Sequence, residues 1–163
     1  MVNMISTEIC FTRLSEAELS LLVKIRNENR SYLHCDREFT LMECTDWFRR
    51  EAPDFLCVWE DETFVGYVRL NSDTSESLEI RVRLDLERRF QGQGLGYPIY
   101  LKLFKFLESD QEAKVFTLET LSHNHRALNL YKKLGFHEIR RISTWGKRDG
   151  DIFMARKPLE PDL

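Results

Sequence analysis

The residues that first point to chemistry are Gln91-Gly92-Gln93-Gly94-Leu95-Gly96. Three glycines fall within five residues, between a strand-like run and a helix-like one. Gly92, Gly94 and Gly96 remove side chains where the backbone turns into the helix, so a ligand can approach main-chain N–H groups. The first N–H groups of a helix lack intrahelical partners and sit at the positive end of its dipole. Together they form a site for phosphate or pyrophosphate. The spacing is not the dinucleotide fingerprint, since the third glycine comes one residue early. It is not a P-loop, because no Gly-Lys-Ser/Thr follows. A tight turn that merely packs a helix on a strand would use the same glycines, and the loop alone does not separate the two readings.

Other reactive side chains offer less. His123 and His125 have no cysteine or carboxylate at zinc-site spacing, so no metal is expected, and they read as polar residues at a helix start. Cys10, Cys35, Cys44 and Cys57 form no CxxC pair. Free thiols in a reducing cytosol are the expected state, which gives a cytoplasmic protein.

The glycine loop must be held by strands and helices, and the chain alternates them without linkers or repeats. Glu8 to Leu14 reads as a short strand. Ser15 with Glu18 forms a capping box for a helix to about Arg30, with Leu21, Leu22 and Ile25 inward. A second helix is expected from Thr40 to Glu51, before Pro53. Phe55–Trp59 and Phe64–Leu70 form a hairpin around Asp61-Glu62. Leu78, Ile80, Val82 and Leu84 alternate with Glu79, Arg81 and Arg83, a strand with one apolar and one charged face. After the glycine loop a helix runs to about Ser109, with Leu95, Ile99, Leu103 and Phe106 on one stripe and Pro98 confined to its first turn. Val115–Leu121 is a strand, and Asn124–Leu134 a helix ended by Gly135. Phe136–Trp145 and Ile152–Arg156 are joined by a turn at Asp149-Gly150. The expected fold class is α/β (α+β), a single mixed central sheet flanked by helices.

Length and charge agree with this. The chain has 163 residues, enough for one domain spanning 1–163 that buries roughly 70% of the unfolded surface. Lys and Arg total 24 against 27 Asp and Glu. The balance lacks the basic excess of a dedicated nucleic-acid binder but leaves room for a local anion pocket. No apolar run approaches the roughly 18 residues of a membrane span, and Met1–Thr7 shows no secretory pattern. No nucleic-acid or membrane partner is expected.

A second constellation gives the loop its meaning. Asn124, Ala127, Leu130, Tyr131, Gly135 and Phe136 fall where the GNAT N-acetyltransferase superfamily carries its second motif. Gln91 to Gly96 resembles that superfamily's first motif, a Gln/Arg-x-x-Gly-x-Gly/Ala turn that grips the coenzyme A pyrophosphate. The two lie about 30 residues apart, each at a strand-to-helix junction. Asp151-Ile152-Phe153-Met154, Ile25-Arg26-Asn27 and Trp47-Phe48 look like the ribosomal-protein N-terminal acetyltransferase branch and the nucleotide-amino-sugar acetyltransferases. Two departures stand out: Gln91 replaces the commoner arginine, and Pro98 stiffens the first helical turn.

The resemblance implies acetyl transfer from acetyl-CoA to a primary amine by direct attack, the amine being a protein N-terminus or a small amine such as a nucleotide amino sugar. An α-amino group is neutral in about one molecule in ten at pH 7, a lysine in about one in 2,500, so a carboxylate base helps. Glu119, five residues before Asn124, and Glu79, on the fourth strand, occupy positions where family members place that base; Glu119 is preferred. Either also reads as an ordinary strand glutamate. Tyr131 is the implied acid toward the departing sulfur. The resemblance assigns the cofactor to Gln91, Gly92, Gln93, Gly94, Leu95 and Gly96, to the backbone of Leu84 and Leu86, and to Asn124, which would bond the pantetheine or cap its helix. Arg88 and Arg89 could add charge near the phosphates or form a solvated face. Tyr32, His34 and Trp47 fall where the acceptor pocket forms. A homodimer is compatible with the family. The alternative is a non-catalytic GNAT-fold module that binds acyl-CoA to regulate.

Overall fold

A computed structural model describes residues 8–33, 37–51, 53–71, 79–110, 115–145 and 148–157, with the backbone alone for 109–110, 144–145 and 148–149. The strands are β1 (Ile9–Arg13), β2 (Phe55–Glu60), β3 (Thr63–Asn71), β4 (Glu79–Leu86), β5 (Val115–Leu121), β6 (His137–Trp145) and β7 (Arg148–Arg156). The helices are α1 (Leu19–Glu28), α2 (Leu41–Glu51), α3 (Gly96–Asp110) and α4 (His125–Lys133). The strands form one mixed sheet in the order β1-β2-β3-β4-β5-β7-β6, antiparallel throughout except for the β4–β5 pair.

Period-two alternation sends side chains to both faces, and each face is covered. Ile80, Val82, Phe116, Leu118, Ile152 and Met154 meet α3 and α4 on one side. Phe55, Cys57 and Tyr67 meet Leu19, Leu22 and Ile25 of α1 and Cys44 of α2 on the other. The caps are built as their residues dictate. The Ser15 backbone N–H donates to Glu18 (3.0 Å), closing a capping box around a short 3₁₀ turn that leads into α1. Thr40 and Glu43 form the same reciprocal pair ahead of α2, with Thr40 N–H to Glu43 at 2.9 Å and Glu43 N–H to Thr40 Oγ1 at 3.2 Å.

Two expectations are revised. The buried stripe of α3 is Ile99, Tyr100, Leu103, Phe104 and Leu107; Phe106 is exposed and faces Phe11 across 6.3 Å between ring centroids. A helix touching a sheet buries one arc, here the 1-3-1-3 spacing of these five positions, and Phe106 lies just past the edge of that arc. Asp149-Gly150 is not the hairpin turn, because Trp145 already pairs with Arg148 and Thr144 with Asp149. Gly150 serves a close approach instead: a Cβ there would lie 1.7 Å from the Ile142 carbonyl oxygen. Leu78, the expected first inward residue of the fourth strand, lies outside the described residues, as do Cys35 and Met1–Thr7.

The second core predicts an alkaline weakness. Burial pushes the Cys57 thiol up to about 12 from an ordinary 9.0, and pushes the Tyr67 phenol well above its usual range. A group whose folded pKa is raised contributes stability that is complete below its unfolded pKa and is lost as pH rises through its folded pKa. Urea denaturation should therefore give stability that falls steadily from about pH 9 toward pH 12, and Cys57→Ala should flatten part of that slope. Stability unchanged up to pH 11 would contradict the burial of these groups.

Candidate active site

Pairing between β4 and β5 lasts only from Glu79↔Val115 to Arg81↔Thr117. Beyond it β4 stays with β3 as far as Leu86, and β5 stays with β7 as far as Leu121. The facing edges therefore separate. Glu87 N–H donates to Val65 O (2.9 Å), which fixes the bonded β3–β4 pairs at odd positions of β4. The N–H and C=O groups of Leu84 and Leu86 consequently point into the gap. The gap opens onto a cleft of about 1090 Å³.

The glycine loop edges this cleft. Gly92 and Gly94 have φ of 72° and 79°, the left-handed region that glycine enters without steric cost. A Cβ on Gly94 would meet nothing within 4 Å, so bare backbone faces open space. Leu95 O accepts the first α3 bond, from Ile99 (3.1 Å). The N–H groups of Gly96 and Tyr97 precede that bond, and Pro98 has none to offer. The loop runs along α4: a Cβ on Gly92 would lie 3.5 Å from the Arg126 guanidinium, and one on Gly96 2.8 Å from Leu130 Cδ2. Arg126 and Lys133 of α4 line the cleft and supply the positive charge that Gln91 lacks.

Gln91 has another task. Its amide donates to Asn29 Oδ1 (2.8 Å) and to Leu86 O (2.9 Å), and buried Asn29 donates to the same Leu86 oxygen at 3.0 Å. This bridge ties the loop to α1 and β4. It also fills the Leu86 carbonyl, leaving the Leu86 N–H as the group it would offer a ligand. Asn124 caps α4, accepting from Ala127 N–H at 3.2 Å.

Tyr131, on α4, is buried at the cleft wall, its ring edge-on to Tyr100 with 5.9 Å between centroids. Burial raises the Tyr131 pKa; the Tyr100 hydroxyl and the Arg83 charge oppose that, and Asp85 reinforces it. The phenol is thus a neutral donor at pH 7. The buried Tyr100 hydroxyl lies beside Tyr131 and the Leu84 backbone without completing a hydrogen bond to either.

Glu119 lines the opposite wall, two residues past Thr117, where β5 has left β4. Nearby, the Tyr32 ring stacks on His123 at 5.7 Å. Arg83 donates to Tyr32 O (3.3 Å) and to buried Asp85 (3.1 Å), and the Asp85 charge helps raise the Tyr67 pKa.

Several expected residues lie elsewhere. Glu79 does not line the cleft; it sits at the closed end of the strand pair, accepting from Thr117 Oγ1 at 2.8 Å. The Gln93 side chain turns back to Arg89 O (2.6 Å). Arg88 bonds Glu28 (3.1 Å from its N–H) and Arg89 pairs with Glu87 (2.9 Å), so neither faces the loop. Trp47 packs on Phe55 in the second core, at 5.5 Å. His34 lies outside the described residues. Sequence reasoning missed Arg126, Tyr100 and the Arg83–Asp85 pair. A signal for the first did exist: Arg126 and Leu130 are four apart on α4, as Gly92 and Gly96 are four apart in the loop.

A mixed sheet opened at its parallel pair, with a glycine loop at the opening, is the GNAT fold. The model of the acetyltransferase (GNAT) family matches residues 19–136, and the chain belongs to that family. Solved structures agree in fold. The spermidine N-acetyltransferase of Vibrio cholerae, in complex with CoA and spermine, superposes with a TM-score of 0.83 at 15% identity, over 92% of this chain and 95% of that one. An N-acetyltransferase of Staphylococcus aureus Mu50 gives 0.76 at 12%, over 94% and 100%. A ribosomal-protein-alanine N-acetyltransferase of Brucella melitensis gives 0.72 at 16%, over 91% and 99%.

Losing the α4 cap should be measurable without any ligand. Asn124→Ala removes the acceptor for Ala127 N–H and should cost about 1 kcal/mol in chemical denaturation. An unchanged midpoint would show that the cap adds nothing to stability.

Proposed function

We propose that this chain is an acetyl-CoA-dependent N-acetyltransferase that acts on a primary amine, a protein N-terminus or a small amine. The observation that carries the reading is convergence on one cleft: bare loop backbone at Gly94, the Leu84 backbone facing the gap, and the neutral Tyr131 phenol in its wall. The loop N–H groups, with Arg126 and Lys133 beside them, suit a pyrophosphate. The Leu84 backbone and the Leu86 N–H suit the pantetheine amides.

The chemistry then follows from the two walls. Glu119 takes a proton from the ammonium, directly or through water, the freed lone pair forms the C–N bond, and the second N–H proton leaves as the adduct collapses, balancing the one given to sulfur. As the C–S bond breaks, Tyr131 gives a hydrogen bond or its proton to sulfur, whose thiol pKa is roughly 8.5. Tyr131 can make this donation because burial keeps its hydroxyl protonated. Glu79, tied to Thr117 away from the cleft, is the weaker candidate for the base. The Vibrio protein acts on spermidine and the Brucella protein on a ribosomal-protein alanine. At 15% and 16% identity they support the fold and do not choose the acceptor.

Thiol release from acetyl-CoA across classes of amine tests the reading. Tyr131→Phe keeps the ring packing and should lower kcat by about 10²–10⁴-fold. Full turnover with chemistry rate-limiting would make Tyr131 a packing residue. Glu119→Gln should displace the acidic limb of the pH–rate profile; if Glu79→Gln does so instead, the base is Glu79. Gly94→Val puts a branched side chain at φ 79° into the loop and should weaken CoA binding in calorimetry while leaving a folded protein. Undiminished affinity would remove the pyrophosphate assignment.

A further inference from the structure

Positive charge gathers around Arg83, where it enters the cleft wall. Arg69 of β3 and Arg83 of β4 are directly opposed across the strand pair. Like charges in that position repel, and a fold keeps them at a cost unless something negative joins them. Asp85 answers one directly, through its 3.1 Å bond from Arg83, and its charge is shared with Arg69 and the Tyr67 phenol. Among the described residues Arg69 has neutral partners, Asn71 Oδ1 at 3.3 Å and the Phe55 ring at 5.7 Å, and no ion pair. Burial first, and then the charges of Arg26 and Arg83, pull Arg69 below the ordinary arginine range.

Arg26 completes the group from α1. Its Nε is buried with no hydrogen-bond partner, and among the described residues Arg26 forms no ion pair. Its guanidinium is held instead over the Phe39 ring, 4.2 Å from the centroid. Phe39 is fixed for this purpose by Asn27, whose amide bonds both the Phe39 carbonyl and its N–H at 2.9 Å. The Arg26-Asn27 dipeptide is thus one device: Asn27 sets the ring, and the ring sets a guanidinium whose donors remain open. An aromatic face fixes an arginine without consuming its charge.

We propose that Arg26, Arg69 and Arg83 form an anion subsite at the acceptor end of the cleft, and that the amine acetylated here carries a carboxylate or phosphate group. Guanidinium forks match both groups in bidentate geometry. Of the three, Arg83 lines the cleft together with Glu119 and Tyr131, and Arg69 stands opposite it on β3, so an anion that reaches the group past Arg83 keeps its amine at the reacting wall. Polycationic amines are disfavoured by the same charges. The inference rests on reading the cleft as the site of acetyl transfer.

Two measurements on the full chain keep the inferences separable. In calorimetry, O-phosphoethanolamine and L-phenylalanine are titrated into the protein with and without CoA. At least one should bind, and Arg26→Gln/Arg69→Gln should weaken it roughly ten- to a hundredfold, the range for hydrogen bonds to charged groups. Arg69→Lys, which keeps the charge, should retain part of the affinity and guards against a folding artefact. In turnover assays, O-phosphoethanolamine should exceed ethanolamine in kcat/KM, or L-phenylalanine exceed phenethylamine, and the double variant should bring that ratio near one. Which pair shows the preference distinguishes phosphate from carboxylate. Binding lost in the double variant, with no acetyl transfer to any amine, would uphold the subsite and overturn the transferase reading. Binding of neither anion, or a preference for spermidine or the uncharged amines that the arginine variants do not alter, would overturn the subsite.

Discussion

The structure depends on the parting of β4 from β5 after Arg81 and Thr117. A sheet that stops pairing leaves backbone donors and acceptors facing one another across a gap, and each such group buried without a partner costs about 1–3 kcal/mol. Here the cost is limited at one end, where the Leu86 carbonyl is taken by Asn29 and Gln91. What remains unsatisfied is a short row of peptide groups, which suits a ligand that carries amides of its own.

The split also dictates where charge can sit. On the α3–α4 face the gap is neighboured by the Tyr100 and Tyr131 hydroxyls, which burial keeps protonated. On the α1–α2 face, β4 presents Arg81, Arg83 and Asp85, and β5 presents Glu119. A substrate reaching through the gap therefore meets a proton donor from one side and charged groups from the other. Positioning of both sides is shared: Asn29 at the end of α1 holds the bridge to the loop, and α4 carries Tyr131 together with Arg126.

Much of the scaffold was legible because it is written locally. The alternation through Ile80, Val82 and Leu84 produced β4, the Ser15–Glu18 box opened the first helical segment, and the glycine loop stands before α3 as expected. Tyr131 and Glu119 face the cleft for the same reason: a motif on one helix and alternation on one strand fixed their sides. What could not be read depends on partners distant in sequence. Nothing near Glu79 says that Thr117 will hold it at the closed end of the pair. Nothing near Gln91 says that its amide will turn to Asn29, 62 residues earlier, rather than toward the loop's open side. The Asp149-Gly150 dipeptide misled because close strand packing demands glycine as firmly as a turn does.

A crystal structure with acetyl-CoA bound tests the central claim most directly. The account predicts pyrophosphate oxygens within hydrogen-bond reach of the Gly92–Gly96 N–H groups, pantetheine beside the Leu84 backbone, and the thioester sulfur next to the Tyr131 hydroxyl. A coenzyme seated outside the gap between β4 and β5, or a sulfur turned away from Tyr131, would contradict it.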